Sequence, residues 1–222
     1  MRKYLPHILI ITFVFLVIPI TSATGGSKTL RSYYKDLSVA EVHSMSNISM
    51  RKTDKSGFYN SYSTIKHSYE LISISGDKVV LDHTTGLMWH QNGSRDRMDW
   101  NVAKDWVRSL NNRGYAGYYD WRLPTVEEAA SLLESSKRKG LYIDPVFSNV
   151  QWNIYTGDKK NSVDWDDPRM HALGDLSKAF TSDSSTWYVS LRGGRTNTVG
   201  GNVCVGFTFM NSAFVRPVCS AR

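Results

Sequence analysis

Three groups of residues in this chain have types and spacing that can do chemistry. The first is Asp120, Trp121 and Arg122, set just ahead of Leu123, Pro124 and Thr125. A carboxyl beside a guanidinium is the raw material of a general acid with a charge partner. No second carboxylate or nucleophile stands at a telling spacing, so the cluster reads as a structural corner. In that reading the Trp indole N–H and the Arg fork each call for an acceptor. The second group is Asp164, Asp166 and Asp167 around Trp165. Calcium takes oxygen ligands of this kind, but the EF-hand pattern is absent and a solvated acidic loop is the plainer reading. The third is Trp165, Arg169, Arg192, Arg195 and Asn197. An aromatic face with cations beside it suits a sugar, or a sulfated chain, if the polar segment 157–185 folds over the turn at Gly193.

Other catalytic patterns are missing. There is no Gly-x-Ser-x-Gly, no His-Glu-x-x-His, no P-loop and no dinucleotide fingerprint. His83 and His90 lie seven apart, which suits no zinc pattern, and they read as surface histidines. Cys204 and Cys219 are the two cysteines. Neither belongs to a Cys-x-x-Cys pair, so one disulfide is expected, closing a loop of about 15 residues and worth roughly 3 kcal/mol. A reactive thiol pair is the alternative.

These groups need a compartment and a scaffold. Arg2 and Lys3 precede an apolar run over residues 8–20, followed by Thr21, Ser22 and Ala23. That is the pattern of a secretory signal, residues 1–23, and an exported protein is expected, periplasmic or at the cell surface. An uncleaved anchor is the other reading, and the only membrane contact envisaged. Cleavage would reduce the 27 Lys and Arg to 25 against 20 Asp and Glu, a charge of about +5. A mildly basic exported chain suits anionic polymers rather than nucleic acid, for which no motif is present.

Residues 24–77 read as an N-terminal arm. Ser38 and Glu41 have capping-box spacing and predict a short helix, followed by a polar, aromatic, extended stretch. The main domain is expected over 78–222. It opens with strands at 79–81 and 87–90 around a turn at Thr84, Thr85 and Gly86. Asp99 then caps a helix with Trp100, Ala103, Val107 and Leu110 on one face. Thr125 and Glu128 form a second capping box, Val126, Ala129, Ala130 and Leu133 an apolar stripe, and Lys137, Arg138 and Lys139 the cationic far end. The C-terminal third reads as strands, with the two cysteines bridging neighbours.

In order, "LDHTTGLMWHQ", "GYYDWRLPT", "WYVSLRGG" and "AFVRPVCS" resemble the Lcl C-terminal domain family. The matching positions are Asp82, Thr85, Gly86, Leu87 and Trp89, then Gly117, Tyr118 and Asp120 to Thr125, then Val215 and Arg216. The resemblance implies an α+β, C-type-lectin-like domain, two helices packed on a small twisted, mainly antiparallel sheet. It implies a binding module without catalysis, for a glycan, sulfated or acidic, or for an envelope or host protein surface. The family's namesake is a collagen-like adhesin, whose Gly-X-Y stalk this chain lacks. Arg192 to Asn197 also resembles the Arg-Gly-Gly string of formylglycine-generating enzymes, which would make the cysteines a copper oxidase pair. A structural envelope protein docking through its arm is the third reading. No cofactor is expected beyond the calcium weighed above.

Overall fold

The computed structural model describes residues 28–52, 59–160, 186–192, 205–208 and 212–221. Both capping boxes form. Ser38 accepts from the Glu41 amide at the start of α1, Val39–His43. Thr125 does the same for Glu128 at the start of α3, Val126–Ser131. Between them α2, Trp100–Asn112, has Asp99 at its N-cap position, but the Asp side chain makes no capping bond. α2 ends where Gly114 takes the left-handed conformation, and a 3-10 turn at Tyr115–Gly117 follows. α3 stops at Ser131, so Lys137, Arg138 and Lys139 lie beyond it and do not complement its dipole.

The strands are β1 Asp36–Leu37, β2 Ile48–Lys52, β3 Tyr59–Ser63, β4 Tyr69–Ile74, β5 Asp77–Asp82, β6 Leu87–His90, β7 Asn153–Lys160, β8 Thr186–Ser190, β9 Val205–Thr208 and β10 Val218–Ser220. They form two four-stranded sheets, ordered β1-β7-β8-β9 and β10-β6-β5-β4, and a ribbon of β2 with β3. The pairings are antiparallel except for β1 on β7. The chain is thus α+β, with the three helices expected, α1 within residues 24–77 and α2 and α3 beyond it, and with three sheets among the described residues rather than one. The extended stretch expected within the arm supplies β3 and β4. β4 joins β5 through Ser75 and Gly76, both at positive φ, the backbone of a two-residue hairpin turn. β9 and β10 fall in different sheets, so the strands expected to carry the cysteine bridge are not neighbours.

Sheet β10-β6-β5-β4 separates two cores. Val80, Leu87 and Trp89 face a cluster containing Val126, Ala129, Ala130 and Leu133 from α3 and its end. Val79 and Met88 face another containing Ala103, Val107 and Leu110 from α2. All four residues of β6 are therefore buried, alternate ones feeding opposite cores. The stretch 213–219 does the same: Phe214 and Val218 enter the first cluster, Ala213, Val215 and Cys219 the second. No helix among the described residues is long and apolar enough to cross a membrane.

Candidate functional site

The Asp120–Thr125 corner is built by its neighbours on every side. Trp121 is buried, and its indole donates to the Tyr115 carbonyl at 2.9 Å. The Asn111 side chain brackets the Trp121 peptide, accepting its N–H at 2.7 Å and donating to its carbonyl at 2.9 Å. Arg122 places two guanidinium nitrogens on Glu128, both at 2.6 Å. Its backbone exchanges two 3.0 Å bonds with Val218 of β10. Burial works against the Arg122 charge, but Glu128 outweighs it and raises the guanidinium above its ordinary value. Glu128 is fully buried and also accepts from the Thr125 amide at 2.8 Å. Its lone pairs are engaged by fixed donors, which suits a cap and not a proton-transfer group. Asp120 is exposed on the outer side of the corner.

The first turn of the domain is equally structural. Asp82 is fully buried and accepts from the Thr85 hydroxyl at 2.5 Å and from the amides of Thr84 and Ser68 at 3.1 and 3.3 Å. His67 Nδ1 lies 2.7 Å from the same carboxylate, and His67 Nε2 2.7 Å from the Ser131 carbonyl. Burial pushes the Asp82 carboxyl up, yet His67, Thr85 and Thr84 more than offset it and hold the group below its ordinary value. Gly86 closes the turn at φ +69°, where a side chain would be strained.

Arg216 is fully buried and meets four oxygens instead of a carboxylate. These are the carbonyls of His90, Gln91 and Ser148 at 3.1, 2.5 and 3.0 Å, and Gln151 Oε1 at 2.6 Å. Burial pulls its pKa down to about 9. It ties β6 to the 148–151 turn. His90, expected at the surface, is buried, with its ring stacked 4.3 Å from that of Tyr115.

A cleft of about 790 Å³ opens beside this frame. α2 gives it Trp100, Lys104, Val107, Arg108 and Asn111. The corner gives it Trp121, Arg122 and Leu123, and β7 gives it Gly157 and Lys159. Tyr34, Lys35 and Asp36 close the remaining side. Five of these side chains are cationic, Lys35, Lys104, Arg108, Arg122 and Lys159, against the single carboxylate of Asp36. Some of that charge is committed. Arg122 is held by Glu128, Arg108 lies 2.9 Å from Asp105, and Lys35 3.3 Å from Glu41. Lys104 and Lys159 have no carboxylate partner among the described residues. Both sit against Trp100 instead, their ammonium nitrogens 3.9 and 5.7 Å from its ring centre. The Trp100 indole is fixed by a 3.3 Å bond to the Thr156 carbonyl. A cation–π contact does not use up the three donors of an ammonium group, so both lysines can still meet an anion.

The binding residues expected from the sequence mostly fall elsewhere. Trp165, Arg169, Arg195 and Asn197 lie outside the described residues, as do Asp164, Asp166, Asp167 and Cys204. Among the described residues no cluster could hold a metal ion. Cys219 is buried on β10. Arg192 is exposed, its guanidinium 5.4 Å from the Trp152 ring, and Arg97 lies 5.3 Å from that same ring. The cleft cations went unread in the sequence. The available signal was Trp100 and Lys104, one helical turn apart on the predicted helix.

Comparison with known families matches the chain to the Lcl C-terminal domain over residues 78–218. No curated protein and no solved structure matches the chain.

Proposed function

Since the chain belongs to the Lcl C-terminal domain family, we propose that it is a non-enzymatic binding module that takes an anionic glycan in the cleft between α2 and β7. The observation that carries the reading is the pair Lys104 and Lys159 beside the Trp100 ring, in a cleft with five cations and one carboxylate. Sulfate or carboxylate groups of a sugar would meet the ammonium groups, while the sugar ring meets the edge of the indole. Positive charge comes from side chains, so the reading needs no metal. The Glu128 carboxylate beside the corner is engaged by donors from Arg122 and Thr125, which supports binding over turnover. In this reading the fold is C-type-lectin-like, and the protein works outside the cytoplasm after removal of residues 1–23.

The test is retention on immobilised heparin under a salt gradient, with titration calorimetry against a sulfated oligosaccharide. Lys104→Ala and Lys159→Ala should each weaken binding roughly fivefold, the equivalent of ~1 kcal/mol for a partly exposed charge contact. Arg192→Ala, away from the cleft, should change little. Elution of the double lysine variant at the wild-type salt concentration would remove the cleft from consideration. Loss confined to Arg192→Ala would move the site to the Trp152 face.

A further inference from the structure

The family match begins at residue 78, so residues 28–37 lie outside it. The domain nonetheless holds this segment in a dedicated socket. At its centre is Asp158, whose side chain is fully buried. Four donors converge on that carboxylate. Two are Arg31 guanidinium nitrogens at 2.7 and 2.8 Å, the third is the Lys35 amide at 2.8 Å, and the fourth is the Val126 amide of α3 at 2.7 Å. The peptide of Arg31 is gripped as well: its N–H donates to Glu127 at 3.0 Å, and its carbonyl accepts from the Thr125 hydroxyl at 2.9 Å.

Three residues on, Tyr34 donates to the Leu123 carbonyl at 3.0 Å. Its ring lies where a side chain on residue 157 would stand, since a Cβ built on Gly157 would come 2.0 Å from a ring carbon. The Lys159 amide then donates to the Lys35 carbonyl at 3.1 Å, and β1 runs parallel to β7.

The outward side of this docked segment is a wall of the cleft, through Tyr34, Lys35 and Asp36. Arg31 does not line the cleft; it faces the socket. Without the segment the cleft would be open along β7 and would lose Lys35. We propose that docking of residues 28–37 and occupancy of the cleft by an anionic ligand are one coupled equilibrium, with Arg31 and Tyr34 as positioning residues for the Lys35 wall. The inference rests on the cleft reading above. Coupling is reciprocal: whatever the docked segment adds to ligand affinity, the ligand returns as tighter docking. Lys35 is free to serve because its contact with Glu41 is close to half exposed on both sides and exchanges easily with water or ligand.

The experiment uses the full chain and sucrose octasulfate as the probe. Calorimetry gives its affinity, and hydrogen exchange follows the amides of Lys35, Val126 and Lys159 with and without it. Saturating probe should slow exchange at these amides at least tenfold in the wild type. Arg31→Gln should weaken probe binding at least tenfold, and Arg31→Lys should recover part of it. Gly157→Ala, which evicts the Tyr34 ring without touching Arg31, gives a second route to the same loss should Arg31→Gln fail to fold. Wild-type binding that is matched by Arg31→Gln and Gly157→Ala, with exchange at the three amides indifferent to the probe, would overturn the coupling and leave the cleft reading standing. Absence of wild-type binding would overturn the cleft reading, and the coupling with it.

Discussion

Acid should destabilise this protein through one buried histidine. His90 is 6 % exposed. Its ring stacks on Tyr115 and lies 5.7 Å from Trp106, and its Nδ1 accepts the Gly93 amide at 3.1 Å. The neutral ring therefore carries its proton on Nε2. Burial depresses its pKa to about 4, with Arg216 and Arg113 acting in the same direction and Asp77 against. The unfolded chain, with an ordinary histidine near 6.5, binds the proton first. Above pH 6.5 there is no penalty, and stability is lost as pH falls from 6.5 toward about 4. At 1.36 kcal/mol per pH unit, that interval amounts to about 3 kcal/mol. Asp82, held below its ordinary value, loses its contribution only at lower pH, outside this window.

The assay is urea unfolding of the wild type and His90→Asn at intervals from pH 7.5 to 4.5. Asn keeps an acceptor for the Gly93 amide but loses the stacking, so the variant starts less stable. The gap should narrow by roughly 2 to 3 kcal/mol as pH falls. Stability curves that stay parallel across the range would refute a neutral, buried His90.

Other perturbations follow from the same geometry. Glu128→Ala strips Arg122 and the Thr125 amide of a buried acceptor and should cost about 3 kcal/mol or more, whereas Glu127→Ala, at a quarter-exposed side chain, should cost about 1 kcal/mol. Equal losses in denaturant titrations would contradict the assigned partners. Gly86→Ala meets no neighbouring atom and pays only for its positive φ, so the midpoint should drop by the equivalent of about 1 kcal/mol. An unchanged midpoint would mean that the turn relaxes. Arg216→Lys brings a single nitrogen where a planar fork meets four oxygens, and should cost about 3 kcal/mol; a circular dichroism melt like that of the wild type would count against the fork's role.

What the sequence disclosed was local. Ser38 with Glu41 and Thr125 with Glu128 are three-residue patterns, and both form as read. The buried face of α2 follows from helical spacing. Glu128 was legible as a cap, but its second duty as the Arg122 partner depends on how the chain turns at Pro124. His90 was read as a surface residue because its spacing from His83 fits no zinc pattern, a ground that says nothing about burial. In the fold β6 is covered on both faces, as the uninterrupted run from Leu87 to Trp89 could have signalled. The Arg31–Asp158 socket spans 127 positions and leaves no periodic trace. The cleft was missed for the same reason, since Lys35, Lys104 and Lys159 come from three distant segments.

The double duty of residues 213–219 sets an order in time. Neither core cluster can close until Phe214 and Val218 for one, and Val215 and Cys219 for the other, have left the ribosome. Strands β4 to β6 are synthesised more than a hundred residues earlier and must wait with their apolar faces uncovered.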